Sequence, residues 1–304
     1  MQIQDVDLKL LKVFDTIVRC GGFAAAQSAL NVSASRISEH MTLLETRLGA
    51  RLCERGRAGF RLTEDGLKLH EAAQRMLGAI DTFHMECGGL HKQLRGTLRL
   101  GVIEATLTDA RSPILPAIRG FVREAPEVHL EIVMDTPAGM ARRVLDGSLH
   151  LALGPFHDSL SGLEHRPLYQ EEQLLYCASP HPLYACPEGP KQTREIRRAR
   201  LAARSYLSGH ELALLQIGKA AASVDNVEGR AMLILSGSYI GFLPPHYASP
   251  WEQGGLLRAV NPEHLRTQLE FGLVWRRGRQ PARVVQCFID RLVVAGRQGN
   301  QATH

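Results

Sequence analysis

Apolar residues recur at helical spacing in the N-terminal part of the chain. One face of a first helix is formed by Leu8, Leu11, Phe14, Ile17 and Val18. The glycines of "CGGF" end this helix, and an alanine-rich second helix is predicted over residues 23–30. "NVS" then predicts a tight turn, with Ser33 as the N-cap of a third helix. The pattern therefore predicts three short helices packed around one core.

The third helix has two contrasting faces. Its apolar stripe consists of Ile37, Met41, Leu44 and Leu48, and its polar face of Ser35, Arg36, Glu39, His40 and Thr42. Gly49 ends the helix. The segment that follows, "RLCERGRAGFRLT", predicts two short extended arms around a turn at residues 56–59. Such a pair of arms beside a helical core is a β-wing.

A long amphipathic helix is predicted to begin at Thr63 and Glu64. The apolar residues along one of its sides are Leu67, Ala73, Leu77, Ile80 and Phe83. A long exposed helix of this kind favours a partner helix from a second copy of the chain. The alternative, in which the helix packs on its own domain, stays open.

From Gly96 onward, strand and helix patterns alternate. The strands are predicted at "GTLRLGVIEA", "VHLEIVMD" and "HLALGP", and the helices at "SPILPAIRGFVREAP" and "PAGMARRVLDGSL". A second alternating run begins at "EQLLYCAS", and a late strand, "LEFGLVWRRG", precedes a helix over residues 283–294. This alternation predicts βαβ units and a largely parallel sheet.

Composition and charge narrow the class of protein. The chain has 304 residues, which fits two or three domains, and neither a membrane-spanning run nor a secretory signal is visible, so we expect a cytoplasmic protein. The six cysteines lack any C-x-x-C pair and are expected to be free thiols, with a redox pair at Cys177 and Cys186 left open. The net charge of +5 is small, but Arg47, Arg51, Arg55, Arg57 and Arg61 crowd one stretch.

These features together indicate a winged helix-turn-helix, whose second helix fits the major groove of B-DNA. The predicted DNA contacts are Ser33, Ser35, Arg36, His40, Thr42, Arg51, Arg55, Arg57 and Arg61. Ser33, Ser35 and Arg36 sit at the end that reaches base edges, and His40 can reach a base or a phosphate. Thr42 and the wing arginines are better placed for phosphates.

The same residues carry a family resemblance. "FAAAQSALNVSASRISEHMTLLETRLGARLCER", followed by "RLTEDG", closely resembles the N-terminal domain of LysR-type transcriptional regulators. A looser likeness continues through "GTLRLGV", "ILPAIRGF", "LLYCASPHPL" and "GSYIGFLP". The chain departs from the family pattern at Ala34, Ser35, Arg36 and Glu39 on the third helix, so no operator sequence can be borrowed from a relative. It also departs at Cys53, and at Tyr239, where the family often has glycine.

The resemblance implies an α + α/β protein in three parts. Residues 1–62 would form the DNA-binding domain, 63–92 a linker and dimerisation helix, and 93–304 a two-lobed, periplasmic-binding-protein-like effector domain. The first lobe would take about 97–170 and 268–304, and the second about 171–267. The implied partners are double-stranded promoter DNA, a small-molecule effector, RNA polymerase and further copies of the chain, as a homodimer or a homotetramer.

Ligands of open parallel sheets bind beyond the carboxyl ends of the strands, beside helix N-termini. On that rule the expected effector contacts are Glu104, Thr106, Thr108, Thr136, Phe156, His157, Ser205, Tyr206, Ser208, Asn226 and Tyr239. The hydroxyls and rings favour a carboxylate-bearing or aromatic metabolite, whereas Glu104 favours a cationic or amino group. The sequence leaves both open.

Catalytic motifs are missing from the sequence. "GSYIG" has Tyr239 where a nucleophile elbow needs serine, and "HEAAQ" and "HELAL" lack the second histidine of a zinc protease. The thirteen histidines show no ligand spacing, and no dinucleotide or phosphate loop occurs, so we expect no enzyme, cofactor or metal. The alternative function is a small-molecule-binding protein whose N-terminal helices mediate protein contacts instead of binding DNA.

Overall fold

The computed structural model describes residues 4–56, 59–88, 94–156, 161–278 and 280–301. Its N-terminal elements are α1 (Asp5–Arg19), α2 (Phe23–Leu30), α3 (Ala34–Leu48), β1 (Cys53–Gly56), β2 (Gly59–Leu62) and α4 (Glu64–Gly88). The predicted three helices, wing and long helix are confirmed. None of the described helices is long and apolar enough to cross a bilayer.

Local sequence explains the turn between α2 and α3. Asn31 adopts the left-handed conformation, with φ of 52°, and ends α2. The Ser33 hydroxyl accepts a hydrogen bond from the backbone N–H of Arg36 at 3.4 Å, which confirms the predicted N-cap. The three helices enclose a core of buried apolar side chains that includes Phe14, Ile37 and Leu44. The caps and this core fix the angle at which α3 is presented.

The remaining elements alternate as expected. They are β3 (Gly96–Val102), α5 (Ile114–Glu124), β4 (Val128–Met134), α6 (Pro137–Leu145), β5 (Leu151–Gly154), β6 (Leu163–Ala178), α7 (Pro190–Arg198), β7 (Ala202–Arg204), α8 (Ser208–Leu215), β8 (Ala222–Val224), α9 (Val227–Leu235), β9 (Gly241–Leu243), α10 (Pro245–Gln253), β10 (Leu257–Ala259), β11 (Arg266–Arg276) and α11 (Arg283–Gln301).

The expectation of a largely parallel sheet is wrong for the long strands. β3 pairs in parallel with β4 and β5, and β7 with β8. β6 and β11, in contrast, are antiparallel to each other and to their other partners. β11 pairs with β6 along its whole length, and periodicity within one segment does not reveal the direction of a distant partner.

β6 and β11 connect two lobes. The first lobe contains β3, β4, β5, α5, α6 and α11, and the second contains α7 to β10. β11 pairs with β5 in the first lobe, while the end of β6 pairs with β9 and β10 in the second. A register shift at Phe271/Gly272 interrupts the β6–β11 ladder once. The two lobes therefore share one seven-stranded sheet.

The linker helix α4 packs closely on the first lobe. A Cβ atom added to Gly78 would lie within 2.3 Å of the Gly147 carbonyl oxygen, so the two backbones touch. One turn further on, Asp81 pairs with Arg99 of β3 at 2.7 Å. Arg99 also donates to the Ser148 carbonyl at 3.1 Å. Helix α4 is thereby joined to the seven-stranded sheet.

Among the cysteines that the structure describes, none forms a disulfide, as expected. Cys177 and Cys186 are both buried. Burial raises the pKa of the Cys177 thiol to about 11, which disfavours the reactive thiolate. This environment argues against a redox pair at these two positions.

Candidate nucleic-acid interface and effector cleft

The first turn of α3 presents an exposed polar face. The Ser33 and Ser35 hydroxyls lie 2.9 Å apart, and Ser33 also caps the helix. The Arg36 side chain is exposed, and no described acidic residue forms an ion pair with it. A cation at this position is therefore available to an external anion or base edge, while the two serines hold the helix start.

The next turn of the helix is less open. His40 is half-buried, and its Nδ1 atom is buried with no hydrogen-bond partner in the described part of the chain. Thr42 is exposed, but its hydroxyl donates to the Ser38 carbonyl oxygen at 2.9 Å. Thr42 must rotate before it can donate to a phosphate.

Strand β2 alternates between inward and outward side chains. Phe60 packs edge-on against Phe23, with ring centroids 6.0 Å apart, so the neighbouring Arg61 points outward. Glu54 lies opposite Arg61 across the hairpin and offsets part of its charge. Arg51 is also exposed. Arg55 lies on β1, and Arg57 lies outside the described residues.

Arg47 belongs to the fold and not to the arginine surface on which the sequence reading placed it. Its guanidinium forms two hydrogen bonds to Asp7 on α1, at 2.5 and 2.8 Å, and the Asp7 side chain is fully buried. These hydrogen bonds hold the pKa of the Asp7 carboxyl below its ordinary value. The pair joins α1 to the end of α3.

Glu104 reaches from the first lobe into the second. Its carboxylate accepts a hydrogen bond from the backbone N–H of Val227, at the start of α9, at 2.9 Å. The Arg204 guanidinium lies 3.5 Å from the same oxygen. A helix N-terminus and a guanidinium are both anion-binding groups. Glu104 therefore occupies an anion-binding position between the two lobes.

Behind Glu104 lies a buried cluster with excess positive charge. Arg230 forms an ion pair with Glu211 at 2.9 Å, and Arg204 donates to the Tyr206 hydroxyl at 2.6 Å. Burial lowers the pKa of Arg230 to about 10 and raises that of Glu211. The Nε atoms of both arginines and Nη2 of Arg230 lack hydrogen-bond partners in the described part of the chain. Two buried cations thus face one buried carboxylate.

Other expected contacts serve as caps or turns. Thr136 accepts from the Gly139 N–H at 3.1 Å, and Asn226 from the Gly229 N–H at 2.7 Å. The remaining hydroxyls of this group bond within loops or across to the second lobe: Thr106 to Ile103, Thr108 to Ala105 and His246, and Ser205 to Asp225. Ser208 begins α8, and His157 lies outside the described residues.

Two expected contacts lie apart from Glu104. Phe156 is buried in the core of the first lobe. Tyr239 precedes β9, and its hydroxyl accepts a hydrogen bond from Arg200 at 2.8 Å. Arg200 precedes β7, and these two strands run in parallel, so Tyr239 lies at their amino ends. Arg204 and Glu104 lie at the opposite end. The Tyr239 side chain therefore does not reach the space between the lobes at Glu104.

The sequence reading missed Arg204 and Arg230. Each was visible as a charge inside an apolar segment, in "LAARSY" and in "RAMLIL". A charged residue in a buried strand or helix requires a partner, so it marks a site for inspection. The partner of Arg230 is Glu211, which lies in another helix. No pattern in the sequence marks Glu211 as a buried charge.

Comparison with known proteins gives the family. The family model "LysR substrate binding domain" matches residues 91–296, and "Bacterial regulatory helix-turn-helix protein, lysR family" matches residues 8–67. The HTH-type transcriptional activator BauR of Pseudomonas aeruginosa is 41% identical over 295 residues, which cover 97% of each chain.

Solved structures share the fold. CbnR in complex with its target DNA has a TM-score of 0.64 at 18% identity and covers 95% of this chain and 99% of that one. An H2O2-bound mutant of Corynebacterium glutamicum OxyR has a TM-score of 0.53 at 24% identity, over 97% and 96% of the chains. The chain belongs to the LysR family of transcriptional regulators. It combines a helix-turn-helix DNA-binding domain with an effector-binding domain, and its relatives are regulators.

Proposed function

We propose that this regulator is an activator that responds to an anionic small molecule, most simply a carboxylate, bound between the lobes. The observation that carries the proposal is the pair of buried arginines, Arg204 and Arg230, against the single buried carboxylate of Glu211. Glu104 supplies the second negative charge from the opposite lobe. The assignment as an activator is supported by the name of the BauR relative.

The effector would compete with Glu104. An incoming carboxylate can accept the same hydrogen bonds from the Val227 N–H and from Arg204 that Glu104 now accepts. Displacing Glu104 releases one contact between the lobes and creates another through the ligand. The ligand shifts the lobe arrangement only by its difference in affinity for the two states. The remaining expected contacts on the first lobe, Thr106, Thr108 and Thr136, would line the approach.

On the DNA side, we propose that Arg36 reads a base edge while Arg51 and Arg61 contact phosphates. Their exposure supports this assignment. Ser33, Ser35, His40, Thr42, Arg55 and Arg57 complete the proposed interface. Promoter DNA is the proposed binding partner. The CbnR–DNA complex has the same fold, which supports α3 as the helix that contacts the bases. RNA polymerase is the proposed downstream partner, the cytoplasm is the proposed compartment, and no catalytic step is involved.

A symmetric oligomer is the proposed working form. The linker helix exposes large apolar side chains, with Leu67 54% and Phe83 61% exposed. An exposed apolar side chain on a long helix is covered well by the same helix of a second copy. Both a homodimer and a homotetramer accommodate this contact. Two copies of α3 would then read half-sites about 34 Å apart or a multiple of it.

The test is a thermal-shift titration of the full-length protein with small carboxylates and with amines of the same carbon skeletons. Ligand binding stabilises the folded protein by mass action, so a matching carboxylate raises its melting temperature. Arg204→Gln should weaken that binding about tenfold or more. Arg200→Gln, which changes an exposed arginine at the other end of the strand, is the matched control and should keep it.

Glu104→Gln gives a second, independent readout. Removing the competing charge should tighten carboxylate binding, whereas a structural loss would weaken it. Stabilisation by amines alone, with no response to any carboxylate, would contradict an anion site.

A further inference from the structure

Three side chains far apart in the chain meet where the lobes join. Asp109 follows β3, Glu171 lies midway along β6, and His246 begins α10. His246 Nε2 lies 3.1 Å from Glu171 Oε1 and 3.7 Å from Asp109 Oδ2. The side chains of Asp109 and Glu171 are each 3% exposed. Their ligand atoms all lie within 4.8 Å of one another.

The hydrogen bond between Thr108 and His246 bears on which ring nitrogen carries a hydrogen. Thr108 donates its hydroxyl hydrogen to the Ala105 carbonyl at 3.0 Å. It therefore accepts a hydrogen from His246 Nδ1, which lies 2.9 Å away. In the neutral imidazole, Nε2 then carries a lone pair directed at the two carboxylates. Three electron-pair donors that face one another repel unless a proton or a metal ion lies between them.

The outer oxygens of both carboxylates are already held. Glu171 Oε2 accepts from Gln173, and Asp109 Oδ1 accepts from the backbone and side chain of Arg111. Arg111 Nη2 also donates to Asp109 Oδ2, at 3.3 Å. The hydroxyl of Tyr169 belongs to the same face of β6 as Glu171, which follows two residues later. That hydroxyl is buried and makes no well-aligned hydrogen bond in the described part of the chain. The surroundings therefore orient both carboxylates.

We propose that Asp109, Glu171 and His246 bind a divalent transition-metal ion, with Zn2+ as the best match. One nitrogen and two carboxylate oxygens are ordinary zinc ligands, and three protein ligands leave a fourth position for water or a small molecule. Mg2+ and Ca2+ prefer all-oxygen sites, so the histidine selects against them. A proton on Nε2 is the alternative, in which His246 donates to Glu171 and Asp109 is paired with Arg111.

The sequence reading expected no metal, because none of the histidines has a ligand at short spacing. The proposed ligands come instead from the first lobe, from a strand that crosses both lobes and from the second lobe. A bound ion would therefore connect the two lobes directly. Metal availability then becomes a second input to the lobe arrangement, separate from the anion position at Glu104.

The experiment measures Zn2+ binding to untagged full-length protein by calorimetry, together with Co2+ absorption. We expect one equivalent of metal and a Co2+ spectrum without thiolate charge-transfer bands, which excludes the cysteines as ligands. His246→Asn and Glu171→Gln should each weaken binding by at least about tenfold. Mg2+ should not compete.

His129→Asn is the matched control, since His129 lies 3.9 Å from Glu131 in a histidine–carboxylate pair that is exposed on β4. It should leave metal affinity unchanged. Because buried positions can fail to fold when altered, the melting temperature without metal is measured for each variant. A folded His246→Asn that binds Zn2+ as tightly as the wild type would overturn the site, and so would thiolate bands in the Co2+ spectrum.

Discussion

Asp81 on the linker helix accepts a hydrogen bond from Arg99 on the first strand of the effector domain, at 2.7 Å. The same strand residue holds the Ser148 carbonyl, and its backbone N–H donates to His150 Nδ1 at 2.9 Å. This junction lies on the direct route from the effector domain to the DNA-binding helices. A change in the first lobe can therefore reach α4 through polar contacts of defined geometry.

Gly78→Ala tests that junction. The added methyl group would lie about 2.3 Å from the Gly147 carbonyl oxygen, so α4 or the loop must move. We expect a loss of roughly 1–3 kcal/mol in the free energy of unfolding, measured by urea denaturation. Gly209→Ala is the control, because a Cβ there meets nothing within 4 Å. It should be neutral or slightly stabilising. Equal effects of the two substitutions would show that α4 does not pack on Gly147.

Arg36→Ala tests base readout. Loss of a bidentate contact should cost about 1–3 kcal/mol and relax the preference at one operator position. Binding to a set of promoter fragments with single base changes measures this. Thr46→Ala, an exposed change further along the same helix, should preserve both affinity and preference. Uniform weakening on every fragment would instead assign Arg36 to a phosphate.

Arg61→Ala tests the wing. If Arg61 neutralises one phosphate, its removal should lower the slope of log affinity against log salt by about 1. The wild-type slope is measured first on specific and non-specific DNA. Arg123→Ala removes an exposed arginine from α5 and should leave the slope unchanged. An unaltered slope for Arg61→Ala would place the wing away from the DNA.

Leu67→Glu tests the oligomer contact. A charge in place of this exposed leucine of α4 should convert the protein to monomers in sedimentation velocity, since burying an unpaired carboxylate in the contact is costly. Leu256→Glu, at a leucine of similar exposure (53%), should keep the assembly intact. If Leu67→Glu also sediments as the wild-type oligomer, the subunits meet elsewhere.

His150→Gln tests pH dependence. Burial and the nearby Arg99 charge lower the pKa of His150 from 6.5 to about 4, so the folded form keeps it neutral while the unfolded chain takes up a proton. The contribution of His150 to the free energy of unfolding should therefore decrease as the pH falls from about 6.5 to 4. Above that range the contribution is fully present. His181, whose pKa is also lowered by burial, acts in the same direction.

The variant should show a weaker fall in melting temperature over that range than the wild type. His129→Gln, at an exposed histidine, should follow the wild-type curve. Identical curves for all three proteins would mean that His150 is already protonated in the folded state.

Local signals in the sequence predicted the local structure well. The Ser33 cap, the Gly49 end of α3 and the wing depend on residues a few positions apart, and all three occur in the structure. Strand direction depends on a distant partner, so the antiparallel run of β6 against β11 could not be read from periodicity. Arg47 was misassigned for the same reason, because its partner Asp7 lies 40 residues earlier.

The candidate sites follow the same division. Glu104 was found because it ends a predicted strand, whereas Arg230 and Glu211 form a pair only after α8 and α9 pack together. Tyr239 follows the motif but lies at the amino end of its strand, and motif position alone does not separate the two ends of a three-residue strand. Clusters of buried charge are products of tertiary packing, and single-segment patterns do not contain them.

The long pairing of β6 with β11 determines how the effector domain can move. Two hydrogen-bonded strands run through both lobes, so the lobes are not joined by a single flexible segment about which they could swing apart. Relative movement must instead twist this ribbon, with the irregularity at Phe271/Gly272 as its softest point. A pair of strands twisted by ligand binding relaxes once the ligand dissociates. The domain would then regain its unliganded conformation without a separate step.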